Sequence, residues 1–165
     1  MFDGLSTEKA TQYAYRILAA RPLSEKEFRL KLGRKGYGGS VVEAVTERFK
    51  DLGYLNDASI AGQLARTYAV SRLWGDRRIA ISLKAKGLNR ELIEAAIALA
   101  RKELTERAAV LQLLGKKGKG RITAPEDNKE KRRLLQSLMG KGFPPGLIFE
   151  VLAISGEEET GDDGE

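Results

Sequence analysis

Glycines and cations alternate in the segment Gly115-Lys-Lys-Gly-Lys-Gly-Arg121, as they do in some phosphate-binding loops. Gly115 and Gly120 have the separation found in a nucleotide-binding P-loop. However, Arg121-Ile122 stands where Lys followed by Ser or Thr is required, and no strand pattern precedes the segment. We interpret it as a flexible basic loop that contacts phosphates or an acidic groove, with an unbound linker as the alternative.

The sequence offers few side chains for catalysis. It contains no cysteine and no histidine, which excludes disulfides, thiolate nucleophiles, zinc sites of Cys/His type and imidazole bases. Neighbouring carboxylates, such as Glu25 with Glu27 or Glu91 with Glu94, fall at predicted helix starts, where compensation of the helix dipole explains them. No residue combination suggests a nucleophile with its base. We therefore predict a protein that is not an enzyme and uses no cofactor or metal.

The charge of the chain is unevenly distributed. The net charge is +6, but residues 156–165 hold six acidic residues and no basic one. The rest of the chain holds 29 basic and 17 acidic residues, a net charge of +12. Such a basic body favours a polyanion or an acidic protein surface as partner. The alternative is a solvated surface that only keeps the protein soluble.

The cations form three groups along the chain, and we predict that they contact phosphate or a protein partner. The candidates are Lys31, Arg34 and Lys35; Arg72, Arg77, Arg78, Lys84 and Lys86; and Lys116, Lys117, Lys119, Arg121, Lys129, Lys131, Arg132 and Arg133. Trp74 lies among the second group and could anchor an interface, with a core tryptophan as the alternative. Base-specific DNA reading has little support, because no Arg, Asn or Gln cluster recurs at the start of a third helix.

A repeated pattern, Leu-x-x-Lys-Gly, indicates how these cations are positioned. It occurs at residues 32–36, 83–87 and 138–142, each time followed by a bulky apolar residue. Glycine just past a helix can adopt the left-handed conformation of a Schellman turn, so the pattern predicts three helix ends. Its lysines suit the negative end of the helix dipole, which makes capping their simpler role.

The spacings of the three cap glycines, 51 and 55 residues, predict tandem repeats. Apolar residues with helical periodicity give three helices per repeat. The predicted fold is all-α, with three tandem three-helix repeats forming an elongated, curved, solenoid-like crescent without right-angle bends. The predicted divisions are an N-terminal extension (1–6), repeats at 7–56, 57–102 and 103–155, a basic loop at 115–127 within the third repeat, and a disordered acidic tail at 156–165.

Several polar residues stand where helices should begin. Ser24 with Glu27 and Ser40 with Glu43 have the form of capping boxes. Asp57, Asp76, Asn89 and Asp127 are predicted to cap the helices that follow them. Leu52 is predicted to point inward from the third helix.

The chain resembles the bacterial RecX regulatory proteins. The resemblance lies in Gly53-Tyr54-Leu55-Asn56-Asp57, similar to Gly-Tyr-Leu-Asp-Asp in the family, and in Arg72-x-x-Gly75-x-x-x-Ile79-x-x-x-Leu83-x-x-Lys86-Gly87-Leu88, preceded by residues 24–36. It covers residues 8–100 well and the third repeat loosely. Asn56 replaces the first aspartate, and we expect Asp57 to act as the cap. The acidic tail and the glycine–lysine loop have no counterpart in the family pattern.

The resemblance implies a monomer that binds the RecA recombinase filament on single-stranded DNA and lodges in its groove. It implies inhibition of strand exchange, ATP hydrolysis and coprotease activity, by limiting filament growth or promoting disassembly. Binding of double-stranded DNA stays open, and we expect a cytoplasmic protein with no membrane contact. The family motifs are largely structural, so they transfer no functional residue. The alternatives are a general DNA-binding protein that competes for single strands and a helical scaffold for another protein.

Overall fold

The computed structural model describes residues 3–117 and 127–157, and every regular element in these ranges is a helix. The prediction of an all-α fold built from three-helix units is confirmed. No helix in the described ranges has the length and hydropathy needed to cross a bilayer. In chain order the helices are α1 (Asp3–Ala20), α2 (Glu25–Arg34), α3 (Gly39–Asp51), α4 (Asp57–Arg66), a π-helical turn (Thr67–Ser71), α5 (Asp76–Ala85), α6 (Arg90–Glu103), α7 (Glu106–Lys117), α8 (Asn128–Gly140) and α9 (Pro145–Glu157).

Two predicted segments lie partly outside the described residues. Helix α7 continues to Lys117, so the first residues of the predicted basic loop are helical, while residues 118–126 are not described. Helix α9 continues to Glu157, two residues into the predicted tail, and residues 158–165 are not described.

Each unit of three helices has its own apolar core. Unit one (α1–α3) buries Phe28 and Phe49, unit two (α4–α6) buries Ile79 and Leu83, and unit three (α7–α9) buries Leu138, Val151 and other apolar residues. Leu73 comes from unit two but packs in the core of unit three, where it is 3% exposed. Each unit thus has a separate core, and a neighbouring unit can contribute a side chain to it, as in other repeat proteins.

The three Leu-x-x-Lys-Gly segments end α2, α5 and α8 as predicted. Gly36, Gly87 and Gly142 have φ angles of 100°, 84° and 96°, in the left-handed region. The amide of the following apolar residue donates to the carbonyl of the motif leucine in each case, at 3.3 to 3.4 Å. These are Schellman turns, which local sequence can specify because all their partners lie within six residues.

Some predicted helix caps are correct. Ser24 and Glu27 form a reciprocal capping box at α2, and Asn89 accepts a hydrogen bond from the Leu92 amide at α6. Asp127 accepts from the Lys129 amide at α8.

Other predictions of caps are wrong. Gly38 begins α3 without a side-chain cap, and Glu43 pairs with Arg29 instead of closing a box with Ser40.

The prediction that Leu52 points inward is also wrong. Leu52 is 53% exposed, because it follows the last residue of α3 rather than lying on its buried face.

The expected caps at Asp57 and Asp76 are also wrong. Asn56 caps α4 by accepting a hydrogen bond from the Ser59 amide at 3.0 Å. Gly75 takes the N-cap position of α5, which leaves Asp76 as its first helical residue. The aspartates instead contribute to contacts between units, since Asp57 binds unit one and Asp76 binds both α6 and α7.

Neighbouring units meet where the second helix of one unit begins and the second helix of the next unit ends. At the first joint the Ser24 hydroxyl donates to the Lys86 carbonyl at 2.6 Å. At the second joint the Gly75 amide donates to the Lys141 carbonyl at 2.8 Å. Ser24 and Gly75 are N-caps, and Lys86 and Lys141 are C-caps. Each joint therefore brings the positive end of one helix dipole against the negative end of another.

A second contact recurs at both joints. The Glu25 amide donates to Asp57 Oδ1 at 2.9 Å, and the Asp76 amide donates to Glu106 Oε1 at 2.8 Å. In each case an acidic residue in the first turn of the next unit satisfies an amide at a helix start, which has no partner within its own helix. The joints thus place the start of α2 at the end of α5 and the start of α5 at the end of α8. We call these helices with their caps the second-helix row.

Gly75 lies against the backbone of the third unit without room for a side chain. A Cβ atom at this position would lie 2.3 Å from both the carbonyl carbon and the carbonyl oxygen of Gly142. Neither is the end of a flexible side chain, so any side chain at position 75 must separate the two units.

Gly75→Ala should therefore destabilise the protein by about 1–3 kcal/mol, the usual cost of overpacking. Gly38→Ala is the matched control, because Gly38 is also an N-cap in extended backbone (φ −68°), but a Cβ atom there would meet nothing within 4 Å. The control carries only the cost of alanine in place of glycine at an N-cap, up to about 1 kcal/mol, and Gly75→Ala carries this cost in addition to the overpacking. Urea denaturation measures both, and equal losses would contradict the close approach at the second joint.

Candidate nucleic-acid and partner interface

Most of the predicted contact cations lie on the second-helix row. The cations placed there are Lys31 and Arg34 in α2 and Lys35 at its C-cap, Arg77, Arg78 and Lys84 in α5 and Lys86 at its C-cap, and Lys129, Lys131, Arg132 and Arg133 in α8. Arg72 follows the π-helical turn. Lys116 and Lys117 end α7, with side chains that are not described, and Lys119 and Arg121 lie outside the described residues. The joints therefore align cations that are about fifty residues apart in the sequence.

Nine of these cations are exposed and form no ion pair with a residue of the described ranges. Two of the nine, Lys35 and Arg72, lie over aromatic rings, and the other seven make no such contact in the described ranges. Because no neighbouring carboxylate neutralises them, an external anion can pair with them without first displacing a protein partner. We call them the open cations: Arg34, Arg77, Lys84, Lys129, Lys131, Arg132 and Arg133.

Two predicted contact residues are held within the joints instead. Lys86 Nζ lies 3.1 Å from Glu27 Oε1, and both side chains are largely buried. Arg78 Nη1 donates to the Gly140 carbonyl at 3.3 Å, and its guanidinium lies 4.0 Å from the centroid of the Trp74 ring. These two cations connect units to each other, so removing them would disturb the fold as well as the surface.

Trp74 is part of a stack of aromatic and cationic groups. Its ring lies 4.6 Å from that of Tyr68 at an interplanar angle of 26°, and Arg72 lies over both rings at 5.1 to 5.3 Å. Trp74 is half-buried and packs against the core of unit two. The tryptophan thus belongs to the edge of a core, where stacking and cation–π contacts already engage it.

The backbone beside Trp74 is unusual. The π-helical turn precedes it, and Leu73 has a φ of 53°, which is rare for a leucine. Packing of the Leu73 side chain in the core of unit three holds this conformation. The irregular segment therefore serves the second joint.

Arg101 is a joint residue that sequence reasoning missed. Its guanidinium donates to Asp76 Oδ1 at 2.7 Å, to the Trp74 carbonyl at 2.7 Å and to the Leu104 carbonyl at 3.1 Å. Glu106 lies beside this network, and its burial raises the pKa of the carboxyl despite the hydrogen bond from the Asp76 amide. The helical pattern of α6 gave no signal for this role, because Arg101 lies in its last turn, where a cation is expected anyway.

Two further cations of the row were also missed. Lys26 is exposed in the first turn of α2, between two glutamates, and its side chain runs beside Gly87. Lys141 is the lysine of the third Leu-x-x-Lys-Gly segment and supplies the carbonyl of the second joint. Its place in the repeat, equivalent to Lys86, was the available signal.

The carboxylate pairs considered for catalysis are occupied by cations. Glu25 binds Arg29 at 3.0 Å and Lys50 at 3.5 Å, and Arg90 binds Glu94 at 2.6 Å. The hydrogen bonds that the Arg29 guanidinium donates to Glu43 and Glu25 raise the pKa of Arg29, although its burial acts in the opposite direction. The contacts of Lys50 with Glu25 and of Arg29 with Glu43 join α2 and α3, while the other two lie within one helix. They leave no carboxylate pair arranged for acid–base chemistry in the described ranges.

Glu27 is the carboxylate of the first joint. Burial raises the pKa of its carboxyl, but hydrogen bonds from Arg21, the Ser24 amide and Lys86 outweigh this effect, so the pKa is lowered overall. The distances to these three donors are 3.1 to 3.2 Å. The ionised carboxylate therefore stabilises the contact between units one and two.

The chain is similar to known proteins over most of its length. Models of the first, second and third three-helix domains of RecX match residues 10–49, 56–97 and 105–152. A regulatory protein RecX of Thermus thermophilus is 33% identical over 153 residues, which cover 93% of this chain and 96% of that protein. The RecX of Mycolicibacterium vanbaalenii is 29% identical over 150 residues, which cover 88% and 81% respectively.

The fold is also similar to that of a solved structure. The crystal structure of RecX from Lactobacillus salivarius superposes with a TM-score of 0.76 at 21% identity, over 91% of this chain and 96% of that chain.

Glu27→Gln tests the first joint. In the folded protein the pKa of Glu27 lies below its ordinary value of 4.5. The ionised carboxylate therefore contributes its full stabilisation above pH 4.5, and this contribution is lost as the pH falls through the pKa of the folded state. We expect a loss of about 1 kcal/mol at neutral pH and a smaller difference from the unsubstituted protein near pH 3. Urea denaturation at both pH values measures this. The control is Glu91→Gln, in the first turn of α6 and without a described partner, which should have little effect on stability. A loss of stability in Glu27→Gln that is as large near pH 3 as at neutral pH would contradict the role of the ionised Glu27 carboxylate.

Proposed function

The chain belongs to the RecX family of regulatory proteins, and on this premise we propose that it binds and inhibits the RecA recombinase filament on single-stranded DNA. Inhibition covers strand exchange, ATP hydrolysis and coprotease activity. The partner and these activities come from the family resemblance.

The observation that supports this proposal is the alignment of open cations along the second-helix row. An end-to-end arrangement of three helices presents positive charge over a length that a single three-helix unit lacks. Such a surface can contact successive filament protomers and nearby phosphates at the same time. Several weak contacts on one molecule strengthen one another, because the second forms at high effective concentration once the first is made.

The mechanism follows from occupancy of the filament groove. A monomer attached to neighbouring protomers blocks the addition or the repositioning of a subunit, which limits growth or promotes disassembly. Hydrolysis of ATP falls with the number of active protomers. Co-sedimentation with preformed recombinase filaments, measured beside recombinase-catalysed ATP hydrolysis, tests this proposal directly.

General binding to single-stranded DNA is the second candidate function. It is favoured by the same open cations, since they can pair with phosphates of any sequence. A competitor for DNA must occupy most of the strand to act, whereas a groove-bound inhibitor acts on preformed filaments at far less than one copy per DNA-binding site. A helical scaffold for another protein would bind neither DNA nor recombinase.

Neutralising the open cations Arg34, Arg77 and Lys84 together should weaken filament binding and inhibition at least tenfold, because three unpaired positive charges leave the row. The affinity of the unsubstituted protein should drop steeply between low and moderate salt, and the triple variant should show a flatter dependence. Arg78 is left in place because it holds the second joint.

The matched control for this variant replaces Lys9, Arg48 and Lys102 by alanine. These cations are also exposed and have no ion-pair partner in the described ranges, but they lie on α1, α3 and α6. Equal loss of inhibition in both triple variants, or none in the first, would remove the second-helix row from the interface.

The acidic C-terminal segment is proposed to screen the basic body until the filament displaces it. Truncation after Glu157 keeps all of α9 and removes residues 158–165. We expect the truncated protein to bind free single-stranded DNA several-fold more tightly, as a fluorescence anisotropy titration would measure. A variant with an uncharged tail of the same length should behave like the truncation, and unchanged DNA affinity would leave the tail only a role in solubility.

A further inference from the structure

Two large apolar side chains are exposed at the same position of two repeats. Leu30 in α2 is 48% exposed and Ile81 in α5 is 62% exposed. Each lies two residues before the buried motif leucine, Leu32 or Leu83, so the repeat relates one to the other. A single exposed apolar residue needs no explanation. Exposed apolar residues at the same position of two repeats indicate a common function.

Each of these residues lies between two exposed cations. Leu30 follows Lys26 by one helical turn and precedes Arg34 by another, and residues three or four apart are neighbours on a helix surface. Ile81 lies in the same way between Arg77 and Lys84. None of the four cations is paired with a carboxylate of the described ranges. Units one and two thus carry similar surface patches of one apolar and two positive side chains, although Arg34 and Lys84 are one position apart in the repeat. We call them the paired patches.

The chemistry of the paired patches suits a protein better than a nucleic acid. A phosphate backbone is bound by cations alone, and bases are held by stacking on aromatic rings, which neither leucine nor isoleucine provides. An aliphatic side chain contributes when it enters an apolar depression of a protein and leaves water. The flanking cations are complementary to carboxylates at the edge of that depression.

Two similar patches fit a partner that repeats as well. The patches are related by the operation that relates units one and two, so both can be filled alike only when the partner offers the same surface twice. The corresponding position in unit three is the exposed Gln136, which limits the pairing to the first two units.

We propose that the paired patches dock on two successive protomers of a protein filament, each protomer offering an apolar depression edged by carboxylates. This inference rests on the proposed function, because it assigns the protein-facing part of the same interface. The open cations of α8 are left for phosphate.

The test uses the full chain with Leu30→Ser, Ile81→Ser and the double substitution. Co-sedimentation with preformed recombinase filaments should show roughly tenfold weaker binding for each single variant and a larger loss for the double variant. Binding to free single-stranded DNA, measured at the same salt concentration, should be unchanged. Leu99→Ser is the control, since Leu99 in α6 is 62% exposed, as Ile81 is, and its counterpart in unit one is Arg48. Circular dichroism checks that all variants are folded.

The outcomes separate this inference from the proposed function. Unsubstituted protein that binds filaments, together with serine variants that bind equally well, overturns the docking role and leaves the proposed function standing. Equal losses for the filament and for free DNA also overturn it, because the patches would then face nucleic acid. Failure of the unsubstituted protein to bind preformed filaments overturns both.

Discussion

The docking of one helix start on another helix end is the contact on which the rest of the molecule depends. A three-helix unit of about fifty residues buries little apolar surface and is marginally stable alone, so contacts between units add to its stability. At both joints, groups at helix ends that lack partners within their own helices are satisfied across the boundary, by Ser24 with Lys86 and by Gly75 with Lys141.

The joints also divide the cations into two kinds. Arg78, Lys86 and Arg101 are held by carbonyls, carboxylates or an aromatic ring, and they serve the architecture. The open cations have no such partners among residues 3–117 and 127–157 and remain for an external anion. The sequence showed a basic body and grouped the candidate cations by repeat unit. It did not separate the two kinds, because the partners of Arg78 and Lys86 lie about sixty residues away in the sequence.

Local and distant contacts likewise explain which structural predictions succeeded. The helix ends at the Leu-x-x-Lys-Gly segments were predictable, since a Schellman turn involves only neighbouring residues. The capping roles expected for Asp57 and Asp76 failed because both carboxylates bind groups of another helix, and Asn56 and Gly75 take the N-cap positions instead. The left-handed conformation of Leu73 could not be predicted, because only the core of unit three makes it favourable.

The order of the second helices gives the molecule a direction. The dipoles of α8, α5 and α2 follow one another with the same sense, and the row has a helix start at one extremity and the free cap turn of Gly36 at the other. No twofold rotation exchanges these extremities. A recombinase filament on a single strand also has two different ends, so the two ways of laying the protein along it are not equivalent. Under the proposed function, attachment in one orientation would therefore treat the two ends of the filament differently.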